Sequence, residues 1–447
     1  MRSNPLFAEA GATLRLATPL IAGQLSQMLM GVVDTAMIGP LGTTELAASA
    51  LVTNLSHIPL VFAIGLLSAI PVRVSQARGA EDTGRAGAVL RDGLWLAAGM
   101  GAFTLLGMGL ILTQLHRLGQ DPAVTEMAPV FLKWIALSMV PAFLSLAVKG
   151  HADALNRPWP PFWITLAGVF LNVLLNWLLI RGNAGCPALG LAGAGVATLI
   201  SRSAILAGLM IWLRSSRSLR DWIPRRWWSR PDPRSLASLA GLGLPAALQT
   251  LAEVSAFVAS TFLAGTLGET ALAAHHVALV CAASVFMVPL GLSMAVTVRI
   301  GAAIGSGNPG APRPVFLSAL LLAAGFTLVS FGVIAGGRRG IAACFIPDAA
   351  TLETAATLLL ISAVFQAGDA VQVISVGALR GLEDVRFPAR AAFAAHWLLG
   401  LPVGYWLAFP RNMGVTGIWW GLTFGLSTCA LLFSVRFWNR SGATRSG

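Results

Sequence analysis

The sequence predicts an all-α integral membrane protein: twelve transmembrane helices in two six-helix lobes, related by a pseudo-twofold axis along the membrane normal. Three observations predict it. Charge is scarce, the apolar residues fall in long unbroken runs, and the two halves of the chain repeat each other.

Of 447 residues, 56% are hydrophobic and 11% charged, against roughly 25% charged in an ordinary soluble domain. A soluble fold must cover its surface with charge, and this chain lacks enough. Leu94 to Thr113, Phe162 to Ile180 and Val315 to Ile334 are each free of charge. About 20 such residues, rising ~1.5 Å each, cross a hydrocarbon slab about 30 Å thick. The predicted spans are 13–38, 46–72, 90–114, 124–147, 160–181, 189–213, 238–264, 272–298, 314–336, 350–378, 388–409 and 414–436. Helices are expected because every backbone amide in lipid needs an internal partner. The short alternating segments of a β-barrel are missing. The first apolar stretch is too long for the core of a cleaved signal peptide, so none is expected.

The net charge of +12 is explained by where the arginines fall. One set of connections carries Arg73, Arg78, Arg85 and Arg91, Lys149 and Arg157, the linker arginines, Arg299 and Arg313, and Arg380, Arg386 and Arg390. Arg436, Arg440 and Arg445 follow the last span. The opposite set holds only Arg117, Arg181, Arg338, Arg339 and Arg411. The positive-inside rule then puts both termini in the cytoplasm, which an even number of spans satisfies. A multi-pass protein of the inner (plasma) membrane is expected. The linker from Arg214 to Ala237 mixes seven Arg with Trp222, Trp227 and Trp228. Such a segment suits anionic lipid headgroups, not nucleic acid. Cys186, Cys281, Cys344 and Cys429 are scattered, with neither zinc-site nor disulfide spacing.

The repeat aligns Pro19–Ala48 with Pro245–Ala274 without a gap, at an offset of 226. Gly39, Leu41-Gly42, Thr44 and Leu46-Ala47-Ala48 recur as Gly265, Leu267-Gly268, Thr270 and Leu272-Ala273-Ala274. Gly65-Leu66 and Val72-Arg73 recur as Gly291-Leu292 and Val298-Arg299 at the same offset. Lys149-Gly150 parallels Arg380-Gly381, and Gly190 and Gly193 parallel Gly414 and Gly417. Six spans per half make the repeats parallel, an architecture of transporters whose lobes rock about a central site. The expected domains are a lobe at 1–214, a basic linker at 215–237 and a second lobe at 238–447.

Three carboxylates sit deep in apolar spans: Asp34, Glu253 and Asp369. A charge at a helix centre costs about 2.5–3.5 kcal/mol, so a paired charge, proton, bound cation or wet cavity must offset it. Each lies on a polar stripe at helical spacing: Gln24, Gln27 and Asp34; Gln249 and Glu253; Ser362, Gln366 and Asp369. Asn172 and Asn176 lie one turn apart on the fifth span. Narrow polar stripes on apolar helices face an interior. Burial favours the neutral form of a carboxylate, so such groups can carry a proton; their oxygens also suit Na⁺ as hard ligands. At the repeat offset Glu253 matches Gln27 and Asp34 matches Ser260, so each half keeps one acid on its first span at a different depth. His57, His275 and His276 are expected to be structural or interfacial, and Lys133 and Arg202 solvated. No phosphate-cradling loop marks an ATPase, and no nucleophile–base set marks an enzyme.

The runs QMLMGVVDTAMIGPLG, LAEVSAF, VTVRIGAAIGSG, LNVLLNWLLIRG and AGDAVQVISVGALRG resemble the multidrug and toxic compound extrusion (MATE) family over nearly the whole chain. Glu253 within LAEVSAF, with Asn172 and Asn176, resembles its NorM-like branch. The resemblance implies a secondary multidrug antiporter exporting small organic cations and drugs in exchange for Na⁺ or H⁺; a monomer with no cofactor beyond that ion is expected. It implies a cation site, Na⁺ included, at Glu253 and Asp369, and a second centre at Asp34, Asn172 and Asn176. A tyrosine common one turn before the tenth-span acid is Phe365 here, which removes one oxygen ligand. The rival reading is a lipid-linked precursor flippase, which would favour a basic cavity.

Overall fold

In the computed structural model, residues 5–117, 119–227, 229–308 and 310–443 are described. Trp228 and Arg445 lie outside them. The helices are α1 (Pro5–Ile38), α2 (Thr43–Leu67), α3 (Ala69–Gly79), α4 (Thr83–Gln114), α5 (Pro122–Ala154), α6 (Trp159–Arg181) and α7 (Leu191–Ser215). There follow α8 (Pro233–Gly265), α9 (Glu269–Gly305), α10 (Pro312–Ala343), α11 (Ala349–Gly381), α12 (Arg386–Phe393), α13 (Leu401–Ala408) and α14 (Val415–Ala443). Among the described residues twelve helical segments are long and apolar enough to cross a membrane. All twelve coincide with the predicted runs.

Two spans are not the plain helices expected. The second is interrupted at Ser68, whose hydroxyl bonds the Gly65 carbonyl at 2.6 Å, so α2 gives way to α3. The eleventh joins α12 to α13 through a π-helical stretch, Ala394–Gly400. Its small residues let backbones touch: a Cβ on Gly421 of α14 would lie 2.3 Å from the Gly404 backbone. Spans of 23 to 37 residues exceed the hydrocarbon thickness; at 37 residues α9 is about 55 Å long. The excess projects beyond the lipid or is taken up by tilt.

The chain forms two compact units, one of Met1–Ile21 with Leu248–Gly447, the other Ala22–Ala247. These are not the contiguous lobes, 1–214 and 238–447, expected from the repeat. The boundaries fall inside α1 and α8, and the two helices exchange their N-terminal halves. Equivalent glycines show why. A Cβ on Gly65 would lie 2.4 Å from Ala247 Cα, and one on Gly291 would lie 2.9 Å from Ile21 N. Both pairs obey the 226 offset. Each is backbone-to-backbone packing that any side chain would block, the means by which helices associate in lipid. Paired arginines add to it: Arg73 donates to Ser238 Oγ at 2.9 Å, and Arg299 holds Glu9 and Thr13. Pro19 and Pro245, also equivalent, lie just before the two crossings and remove a helical hydrogen bond there.

Within the second unit, Phe143, Leu132, Ile70, Leu90 and Leu209 are fully buried, and the linker folds back on α4. Trp95 Nε1 bonds the Ser229 carbonyl at 3.2 Å, and Arg214 stacks on Trp227 at 4.7 Å. Within the first unit, Trp419, Phe433 and Phe437 are buried, and Ser293 and Thr297 of α9 bond the Val373 and Gly377 carbonyls of α11. Large apolar side chains such as Phe103, Leu106 and Leu328 stay exposed, as a lipid-facing surface requires.

Candidate functional site

Each unit contains one polar cluster built around an acid. In the unit Ala22–Ala247 it lies between α1 and α6. The i,i+4 spacing of Asn172 and Asn176 puts both amides on one face of α6, and both are fully buried. Asn176 Nδ2 donates to Asp34 Oδ1 at 2.6 Å and to Asn172 Oδ1 at 3.2 Å. Asn172 Nδ2 and Asn176 Oδ1 have no partner among the described residues. One donor and one acceptor therefore remain beside the carboxylate, each expensive to leave unmade. Arg202 of α7, expected to be solvated, donates to Ser138 Oγ at 2.8 Å and lies within electrostatic reach of Asp34. Gln24 is half-buried and Gln27 exposed, and among the described residues no hydrogen bond ties either to this cluster.

The other unit aligns α8 antiparallel to α11 through three rungs. Phe257 meets Phe365 with ring centroids 6.0 Å apart. Gln372 Nε2 donates to Glu253 Oε2 at 3.4 Å, and Arg380 Nη2 to Gln249 Oε1 at 3.4 Å. Asp369, buried between the first two rungs, is in electrostatic contact with Glu253. Two neighbouring carboxylates inside apolar spans repel unless a positive species joins them. Among the described residues neither amide atom of Gln366, buried one turn toward the start of α11, is bonded, and Gln372 Oε1 has no partner. The cluster thus offers amide oxygens and two acids to a cation.

Phe365 is fixed by aromatic packing: it sits on Trp419 at 5.7 Å as well as on Phe257. Trp419 Nε1 donates to His275 Nδ1 at 3.1 Å, which leaves Nε2–H to donate to Thr261 Oγ1 at 3.1 Å. His275 is thereby a neutral tie between α8, α9 and α14, the structural role expected of it. Among the described residues no three His, Cys, Asp or Glu side chains gather as a metal site.

The structure therefore brings Asp34, Asn172 and Asn176 together, and separately Gln249, Glu253, Phe365, Gln366 and Asp369. Arg380 escaped the sequence reading because an arginine in the last turn of a span looks like a topology signal, whereas Arg202, in the middle of α7, was expected to be solvated and instead reaches Ser138 and Asp34. The repeat held a clue for Arg380. Its partner Gln249 matches Gly23 at the 226 offset, and Gly23 in turn faces Lys149, the counterpart of Arg380; a Cβ there would lie 3.8 Å from Lys149 Cε.

A family model described as MatE matches residues 19–178 and 245–406, one copy per half. The chain is 39% identical to the "Probable multidrug resistance protein NorM" of Bradyrhizobium diazoefficiens, covering 97% of this chain and 94% of that one. It is 35% identical to the "Multidrug resistance protein NorM" of Burkholderia vietnamiensis over the same shares. Among solved structures, the eukaryotic MATE transporter AtDTX14 superposes with a TM-score of 0.89 at 21% identity, covering 99% of each chain. An outward-facing multidrug resistance MATE transporter of the MOP superfamily superposes with a TM-score of 0.90 at 21% identity, over 98% of this chain and 96% of that one. At such identities the structural likeness bears on fold alone.

Proposed function

Because the chain belongs to the MatE family of membrane transporters, we propose that it is a secondary multidrug efflux antiporter, exporting small organic cations and drugs in exchange for Na⁺ or H⁺ by alternating access. It resides in the inner membrane with both termini cytoplasmic, the orientation its arginines favour. One observation supports the reading: each unit keeps a carboxylate in a membrane helix beside amide groups that lack partners among the described residues.

Coupling follows if the ions and the drug bind the two states with different affinities. Facing outward, Glu253 and Asp369 take up Na⁺ or a proton, which cancels their repulsion and weakens the hold on a cationic drug. Facing inward, the ion leaves, and the freed negative charge attracts a lipophilic cation from the cytoplasm. Asp34 is a second centre, held by Asn176. Each tenfold difference in affinity between states corresponds to about 1.4 kcal/mol, well within what one buried charge supplies.

The test is ethidium efflux from vesicles under an imposed Na⁺ or pH gradient. Asp369→Asn keeps the shape of the side chain and removes its charge, so gradient-driven efflux should disappear. Efflux persisting at the wild-type rate would refute the role given to this acid. Comparing the two gradients in the wild-type protein identifies the ion.

A further inference from the structure

Away from both acid clusters, the unit Ala22–Ala247 holds a cavity of about 150 Å³ lined by Arg78, Leu155, Arg157, Ser218, Leu219 and Trp222. Its walls come from three places: the last turn of α3, the connection from α5 to α6, and the linker turn Arg217–Trp222. All three lie at the arginine-rich ends of the spans. We propose that this cavity binds a phosphate group, supplied by the headgroup of an anionic phospholipid.

Size and charge both select that ligand. A drug-sized pocket measures about 300–1,000 Å³, and this one is smaller. It does hold a phosphate with a water or two, at roughly 30 Å³ per water. Two guanidinium groups face one small space, and no carboxylate lines it. Asp153, a buried acid at the end of α5, is already paired with Lys149 at 2.7 Å. Asp221, on the linker turn itself, does not line the cavity. Arg78 uses one donor on the Ala154 carbonyl at 3.4 Å. A guanidinium has five donors in a planar fork that matches phosphate oxygens. Like charges facing each other repel, and an anion between them turns the repulsion into two attractions.

Ser218 adds a hydroxyl donor, while Leu155 and Leu219, both buried, form an apolar floor. Trp222 supplies the amphipathic ring that settles at headgroup level. Exposed Arg217 and Arg220, within the turn, extend the positive surface. An anionic inner leaflet concentrates such headgroups at the surface this end would face. The bound phosphate would pin the linker turn to the ends of α3 and α5. None of this depends on the coupling ion or on the drug.

The experiment is native mass spectrometry of the full-length protein, titrated with phosphatidylglycerol, with phosphatidylcholine and with inorganic phosphate. Phosphatidylglycerol should bind the wild-type protein more tightly than phosphatidylcholine. Arg78→Gln with Arg157→Gln should weaken it about tenfold or more, the loss of charge-assisted bonds. Arg117→Gln, on the opposite side of the spans, should change nothing. Should the double variant misfold, Arg157→Gln alone serves, since that side chain is exposed, and Arg157→Lys should restore part of the binding. If inorganic phosphate binds and depends on the two arginines while the lipid shows no preference, the phosphate site stands and its source is the free ion. Equal binding of both probes by wild-type and double-variant protein would overturn the proposal.

Discussion

Asp34 and Glu253 occupy equivalent helices but are held differently. Asp34 accepts from Asn176 at 2.6 Å, a short charge-assisted contact. Among the described residues Glu253 is bonded by Gln372 at 3.4 Å, at the long limit of hydrogen bonding, and lies close enough to Arg380 to feel its charge. The looser carboxylate, with Asp369 beside it, is the better place for an ion to come and go. Arg380 competes with that ion. Arg380→Gln should therefore tighten binding of the coupling ion several-fold and slow turnover, measured as the Na⁺ or H⁺ concentration giving half-maximal efflux. An unchanged half-maximal concentration would remove Arg380 from the coupling site. The stripes of Gln249, Glu253, Gln366 and Asp369 were legible from helical period alone, because a lone acid in an apolar run needs a reason. The partners were not. Which arginine turns inward depends on neighbouring helices that no local pattern reveals.

At the scale of elements, the exchanged half-helices depend on two glycines. A side chain at position 65 would collide with the Ala247 backbone, which cannot yield as a flexible side chain would. Gly65→Val should destabilise the protein by about 1–3 kcal/mol or more, the usual penalty of overpacking, and lower its thermal unfolding midpoint in detergent. Gly99, where a Cβ would meet nothing within 4 Å, is the control and should tolerate Ala. The repeat put Gly65 and Gly291 in register but did not say what they touch. A second prediction concerns the start of α11. Asp348 caps it, accepting from Thr351 N at 2.9 Å and from Thr351 Oγ1 at 2.7 Å. The Thr351 backbone bond, then its hydroxyl bond, hold the Asp348 carboxyl below its ordinary value near 3.8. A depressed carboxyl stabilises the fold above its unfolded value, and that contribution is lost as pH falls through the folded one. Amide exchange at residues 351–353 should thus accelerate selectively under acid. Asp348→Asn, which still caps but does not titrate, should abolish that pH dependence.

For the whole molecule, twelve spans and one-sided arginines make a topological claim. Cys344 is exposed in the connection from α10 to α11, on the face that carries few arginines. A membrane-impermeant maleimide should label it in intact cells. Cys429, buried inside α14, should stay unlabelled until the protein is denatured. Labelling of Cys344 only after the membrane is opened would invert the orientation and, with it, the direction of transport proposed above. The two copies of the family model begin at residues 19 and 245, the same 226 offset that the alignment of the halves uses.

Composition and periodicity alone determined the membrane class, the number of spans, the repeat and the three acids, because lipid imposes a length and a polarity that a linear sequence records directly. Tertiary structure alone decided that the compact units exchange half-helices, that Asn176 grips Asp34, that Arg380 approaches Glu253 and that two arginines share one small cavity. Those facts depend on which helices lie side by side, and contact between residues far apart in the chain leaves no periodic trace in it.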